Sequence, residues 1–295
     1  MPSNSQQGSD TPSKQPAESA GTPSKGPRGT EKTLEPTLKC LLPPGGSIPV
    51  GGLVEELDLA ERASAASTSR PYTVLNMVST ADGRATLSGR SGGIGGQADK
   101  ALFLGLRTIV DGVMAGAGTV RAERYGRLVR DEGHRAARRE RGLAEEPLAC
   151  VVSGRLALSQ EIPLLADPQA RVAILTASQA SLPPGCNAEV EYIRAMRDGV
   201  LDLTGAMGQL REEHGIRTLL CEGGPHLGAQ LLQEGLLDEL FLSLSPLLAS
   251  GDATGEALRI LSGPELDPPV SLELVSLYEH DSHLFLRYRV QPPPS

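Results

Sequence analysis

The sequence predicts an α/β fold of three layers: a mostly parallel sheet with helices on both faces, and an antiparallel hairpin at the C-terminus. Three observations predict it. From Pro71 onward, short continuous apolar runs alternate with helical patterns, as expected of strands covered on both sides. Gly-rich turns follow several of these runs, where open α/β sheets hold their ligands. The closing stretch "VSLELVSLYEHDSHLFLRYRV" alternates apolar and polar residues on both sides of "HDS", the pattern of a half-buried hairpin.

The elements follow in order. Residues 1–35 are rich in Ser, Pro, Gly, Lys and Gln with almost no large apolar side chain. Such a segment cannot offset its chain entropy by burial, and it reads as a disordered tail. Residues 36–70 form a lead-in in which "VEELDLAERASA" predicts a short helix. Residues 71–295 form the main domain. "YTVLNMVS" is its first strand, and "QADKALFLGLR" a helix with Leu102, Phe103 and Leu106 on one face and Asp99 in the first turn. There the helix dipole favours a carboxylate. "TIVDGVMAG" is a second strand, and "DEGHRAARRERGLAEE" a charged, solvated stretch, helix or loop. "PLACVVS", "ARVAILTA" and "VEYIRA" are further strands. "DLTGAMGQLREEHG" is a helix closed by Gly215, and "RTLLCEG" a strand leading into "GPHLGAQLLQEGL", whose Leu227, Leu231, Leu232 and Leu236 share a helical face. "DELFLSLSP" and the hairpin complete the chain.

Composition excludes several classes. Formal net charge is −8 and only 3% of the 295 residues are aromatic, which argues against a nucleic-acid binder. Cys40, Cys150, Cys186 and Cys221 show no metal-ligand spacing, so the sequence predicts neither a metal site nor a disulfide framework, and a cytoplasmic setting with reduced thiols. No apolar run approaches the ~18–20 residues of a membrane helix.

Two glycine turns carry the chemistry. "VMAGAGTV" places Gly116 and Gly118 after the second strand, and "CEGGPHLG" places Gly223, Gly224 and Gly228 after "RTLLC". Glycine lets backbone approach a ligand closely. Pro225 suits the first helical position. The N–H groups beyond it, from His226 and Leu227 onward, meet the positive end of the helix dipole, which favours an anion. "GAGTVR" has Arg121 where G-x-G-x-x-G requires glycine, so a dinucleotide here is not held in the Rossmann manner. A third loop, "STADGRATLSGRSGGIGG", is longer than a connection needs. Arg84, Arg90, Arg107, Arg121, Arg124, Arg127 and Arg130 gather near these strand ends, and guanidinium groups suit phosphate.

In order, "RPYTVLNMVSTADGRATLSGRSGGIGG", "LRTIVDGVMAGAGTVRAE" and "LLCEGGPHLGAQLLQEGLLDELFLSLSP" resemble the reductase domain of the riboflavin biosynthesis deaminase-reductase family and its stand-alone pyrimidine reductases. The resemblance covers most of residues 71–290. It implies a dihydrofolate-reductase-like fold, a homodimer, and NADPH-dependent reduction of a phosphorylated pyrimidine, 5-amino-6-(5-phosphoribosylamino)uracil, at C1′ of its ribosyl group. It implies NADPH contacts at Val78, Thr80, Gly116, Gly118, Thr119, Glu123, Ser153 and Gly223 through Gly228, with Pro225, His226 and Leu227 among them. It implies substrate contacts at Ser91, Arg107, Arg130 and Glu222, with Arg107 on the ribose phosphate. Asp82 and Glu222 are candidate proton donors by location. The zinc motif of the deaminase half, H-x-E with P-C-x-x-C, is absent from the sequence.

The chain departs from the family at two places. "ERYGRLVR" stands where the family has Asp-Asp-Pro-x-Leu-x-x-Arg, so Arg124 and Tyr125 replace Asp-Pro. Gly93 replaces an aromatic residue. Two other readings share the same residues: a same-fold reductase of dihydrofolate or another pterin, and a non-catalytic NADP-binding protein.

Overall fold

An edge hairpin opens the folded chain. β1 (Thr37–Leu42) and β2 (Gly45–Pro49) pair antiparallel, with β1 also pairing β12 below. Sequence reasoning found no strand here, because "CLLPPGGSIP" carries the prolines and glycines that confine a strand to a sheet edge. The computed structural model describes residues 35–66, 69–250 and 258–292. The expected tail therefore lies almost wholly outside the described residues. The single helix expected in the lead-in is two, α1 (Val50–Glu55) and α2 (Leu59–Ala65), separated at Asp58, whose φ is 43°.

β3 (Tyr72–Thr80) and α3 (Gln97–Leu106) fall where apolar periodicity places them. β4 (Gly112–Gly116) is shorter than expected. Its lead-in bends at Asp111, whose carboxylate accepts from Arg217 N, Thr218 N and Thr218 Oγ1. α4 (Ala117–Ala122) follows at once. The charged stretch forms α5 (Glu132–Glu140), N-capped by Asp131. It is not wholly solvated, because Arg138 is 0% exposed and its guanidinium donates to the carbonyls of Ala144, Arg107 and Val110. The remaining elements are β5 (Leu148–Val152), α6 (Pro163–Ala166), β6 (Arg171–Thr176), β7 (Glu189–Arg194), a small hairpin β8 (Met196–Arg197) and β9 (Val200–Leu201), α7 (Leu203–Glu212), β10 (Thr218–Cys221), α8 (Pro225–Gln233), β11 (Glu239–Ser245), β12 (Leu272–His280) and β13 (His283–Val290).

One sheet of 11 strands runs in the order β2-β1-β12-β13-β11-β3-β10-β4-β5-β6-β7. From β11 to β7 every pair is parallel. β13, β12, β1 and β2 extend the β11 edge antiparallel. The lead-in of residues 36–70 thus joins the same sheet as the rest. Apolar side chains on the two sheet faces make two cores. One holds Leu53, Leu102, Leu106, Val113, Val120 and Leu220 beneath α1, α3 and α4. The other holds Leu75, Met114, Met207, Leu210, Leu219, Leu227 and Leu231 beneath α7 and α8. β4 and β10 are neighbours, yet α4 leaves toward the first face and α8 toward the second. This divergence opens a crevice beyond the carboxyl ends of the strands, where open α/β sheets take their ligands.

Candidate active site

A cavity of ≈610 Å³ opens over the first core, lined by the ends of β3 and β10, by α3, and by residues 119–134. At its floor Arg107 and Glu222 face each other. Arg107 Nε and Nη2 donate to the two carboxylate oxygens of Glu222 at 2.6 and 2.7 Å, and Nη1 donates to Leu128 O at 2.8 Å. Tyr125 donates its hydroxyl to Glu222 Oε2 at 2.7 Å. The guanidinium lies over the Phe103 ring, with Cζ 4.3 Å from its centroid, a cation–π contact. The side chains of the pair are 9% and 1% exposed.

Burial by itself would disfavour the charge on Arg107. The Glu222 carboxylate outweighs it, and the guanidinium pKa is raised. Tyr125 is pushed well above the ordinary phenol value, first by burial and then by the Glu222 charge. The resemblance assigned Arg107 to a ribose phosphate and Glu222 to the substrate. The structure joins them to each other, and both line the cavity. Glu222 accepts three donors from fixed partners, which suits a carboxylate and leaves it poorly placed to give up a proton.

The other expected residues divide. Val78, Ser91, Thr119, Glu123 and Arg130 line the cavity. Ser91 and Glu123 meet directly, with Ser91 N and Oγ donating to Glu123 Oε1 at 2.8 and 3.0 Å; this ties the long Gly-rich loop to the end of α4. Thr80 and Asp82 lie outside the lining. Asp82 is exposed, accepts from Thr80 Oγ1, Ala249 N and Ser250 N, and is lowered to about 2 by those hydrogen bonds. These bonds hold it as an acceptor that pins a loop. Ser153 is buried at the end of β5, its N–H bonded to Leu175 O.

The two glycine turns are in register. Gly116 N donates to Gly223 O, and Glu222 N to Met114 O. Gly223 and Gly224 have φ of 96° and 81°, and a Cβ on Gly223 would meet Met77 Sδ at 3.1 Å. A Cβ on Gly118 would meet nothing within 4 Å. No side chain caps α8, so the first-turn amides of His226 and Leu227 have no partner from a capping residue. These uncovered amides beside open space fit a dinucleotide pyrophosphate. Leu227 and Gly228 belong to the packing in other respects. The Leu227 side chain sits in the second core, and a Cβ on Gly228 would strike Leu261 Cδ2 at 2.8 Å.

Sequence reasoning missed several lining residues. Apolar periodicity groups Phe103 with Leu102 and Leu106, but those two are buried while Phe103 faces the cavity. Asp99, Phe103 and Arg107 recur every four residues along one side of α3, and that spacing was the available signal. Asn76, Lys100 and Leu128 also line the cavity.

A parallel sheet with helices on both faces, an antiparallel extension and a crevice at the strand ends define the dihydrofolate-reductase-like class of α/β protein. Residues 71–286 match the RibD C-terminal domain family, and the chain belongs to it. Among its relatives is the 2,5-diamino-6-ribosylamino-4(3H)-pyrimidinone 5′-phosphate reductase of Methanothermobacter thermautotrophicus. That protein is 28% identical over 229 residues, which cover 75% of this chain and 99% of the relative. The Archaeoglobus fulgidus protein of the same name is 27% identical over 186 residues, covering 62% and 83%. The crystal structure of a pyrimidine reductase-like protein from Corynebacterium diphtheriae superposes with a TM-score of 0.64 at 23% identity, covering 82% of this chain and 99% of that one.

Proposed function

We propose that the protein is an NADPH-dependent reductase of 5-amino-6-(5-phosphoribosylamino)uracil in riboflavin biosynthesis. The observation that carries this reading is the placement of the glycine crevice beside a cavity of ≈610 Å³ that is built around a buried ion pair. A reduced nicotinamide, when bound, supplies the hydride. The chain's own residues orient it and hold the substrate. The first-turn amides of α8 and the backbones of Gly116, Gly118, Gly223 and Gly224 take the pyrophosphate, with Thr119 and Val78 beside it. Arg107, Glu222 and Tyr125 form a rigid polar floor against which a planar base is oriented, and Ser91 and Glu123 close its side. The exposed cations Lys100, Arg124 and Arg130 line the rim and make no ion pair among the described residues. They are placed for the substrate phosphate. The second subunit of a homodimer belongs to the same proposal.

The names of the two archaeal relatives favour a second reading, in which the pyrimidine carries an amino group at C2 instead of the oxygen of uracil. The test is loss of NADPH absorbance with each pyrimidine phosphate in turn, with dihydrofolate as the outgroup. Turnover on the uracil supports the first reading, and turnover on the diaminopyrimidinone alone selects the second. Turnover on dihydrofolate alone, or NADPH binding without any turnover, sinks both. NADH in place of NADPH tests the coenzyme, with at least tenfold weaker binding expected.

A further inference from the structure

Reduction at C1′ needs a proton as well as a hydride. The hydride adds to C1′, the C1′–O4′ bond breaks, and O4′ keeps its electron pair and takes the proton. Neither carboxyl singled out from the sequence is suited to give that proton. Asp82 lies outside the cavity, and Glu222 is held by three fixed donors. Glu123 and Asp131 also line the cavity. Glu123 accepts from Ser91 N and Oγ, and Asp131 caps α5 by accepting from His134 N. Each of these carboxyls is held as an acceptor.

Asp99 is different. It sits in the first turn of α3 and lines the cavity. It makes no ion pair and accepts no backbone N–H among the described residues. The hydroxyl of Ser243 on β11, a residue 1% exposed, lies near enough to favour its charged form. A hydroxyl can donate to a carboxylate or accept from a carboxylic acid, so it supports both protonation states. Room for the group is made by Gly95, since a Cβ there would fall 1.9 Å from Asp99 Oδ2.

We propose that Asp99 is the catalytic acid of this site, giving its proton to O4′ and recovering it from water through the cavity mouth. The inference rests on the reductase reading above. Burial raises its carboxyl above the ordinary range, against the smaller opposing effects of the Ser243 hydroxyl and the His283 charge, and a catalytic acid benefits from that shift. The titratable and charged groups around it are His283, presented by β13, and Lys100 on its own helix; β11 presents only the Ser243 hydroxyl.

Two measurements test it on the full chain. In the protein without coenzyme, carbon NMR of labelled aspartate follows each carboxyl with pH, and Asp99→Asn identifies the signal. Asp99 is expected to titrate above the ordinary aspartate value of about 3.9. A value at or below it overturns the proposal whether or not the enzyme turns over. In kinetics, Asp99→Asn is expected to lower kcat by about 10²–10⁴-fold, with NADPH Kd and substrate KM within threefold. Wild-type kcat falls as pH rises through the Asp99 pKa, because only the acid form donates. His283→Asn keeps that fall, and Asp99→Asn removes it. An Asp99→Asn enzyme within threefold of wild type, or a fall that follows His283, overturns the role of Asp99 and leaves the reductase reading standing. A wild type inert on both pyrimidine phosphates overturns the reading and this inference with it. The wild-type titration and pH profile stand even where the variant folds poorly.

Discussion

Arg107 and Glu222 hold each other with their side chains largely buried, so each should matter most when the other remains. Removing one partner of a buried pair leaves an uncompensated charge, at a cost of about 3–5 kcal/mol. We expect Arg107→Ala and Glu222→Ala each to lose that much stability in urea, and the double variant to lose clearly less than the sum. Additive losses would mean the two side chains act independently. Tyr125 supplies the third donor. Tyr125→Phe leaves the ring over the cavity and deletes only the hydroxyl. A hydrogen bond to a buried charged group contributes about 1.5–3 kcal/mol, and a loss of that size is expected, with unchanged NADPH affinity. An unaltered urea midpoint would show that Glu222 is satisfied by Arg107 alone. The two rings near the guanidinium, Phe103 at 4.3 Å and Tyr125 at 5.7 Å from Cζ, add cation–π contacts to the ion pair.

The glycine turns separate a structural demand from a ligand demand. Gly224 has φ 81° and ψ 117°, a region in which a side chain is strained by about 1–3 kcal/mol, so Gly224→Ala should lower both stability and coenzyme affinity. At Gly118 an added methyl meets no protein atom within 4 Å, and alanine is the better helix former by up to about 1 kcal/mol. Gly118→Ala should therefore keep or slightly raise the melting temperature while weakening NADPH at least tenfold by calorimetry. Undiminished affinity would place the pyrophosphate elsewhere. The turns themselves were legible, because strand, glycine pair, Pro225 and amphipathic helix are all written within a few residues. The parallel strands were legible for the same reason, as continuous apolar runs. What could not be read was partnership across the chain. Arg107 and Glu222 are 115 residues apart, and nothing local says that they neutralise one another. Nor could the sequence say that Asp82 would be held by amides of the 249–250 turn. β1 and β2 were hidden by their glycines and prolines, and Arg138 by its charged neighbours, since only its bonds to the carbonyls of Arg107 and Val110 put that one arginine inside. From sequence, Asp99 is a favourable charge at a helix start. Its second property, facing a cavity, depends on how α3 sits above β11.

Across the whole molecule, buried carboxylates are joined to phenols, and this couples stability to alkaline pH. Glu239 on β11 accepts from Tyr72 of β3 at 2.7 Å and from Arg287 of β13 at 2.7 and 2.9 Å, tying the parallel strands to the antiparallel extension. Glu222 does the same for Tyr125 beneath the cavity. Burial and the neighbouring carboxylates raise the pKa of Tyr72 and Tyr125, and burial raises that of Tyr278, all above the ordinary 10.0. A folded-state pKa above the unfolded one gives stability that is complete below pH 10 and lost as pH rises toward the folded value, because the unfolded chain releases its protons first. For the buried Tyr125 the loss is at most about 1.4 kcal/mol per pH unit above 10. Urea unfolding at pH 9 and pH 11 should therefore show a lower midpoint at the higher pH, and the Tyr72→Phe, Tyr125→Phe double variant should show a smaller drop between them. A wild type equally stable at both values, or a double variant with the same drop, would mean that Glu239 and Glu222 do not hold their phenols neutral. The Arg107–Glu222 pair at the base of the cavity would then be less rigid than the role of orienting a substrate requires.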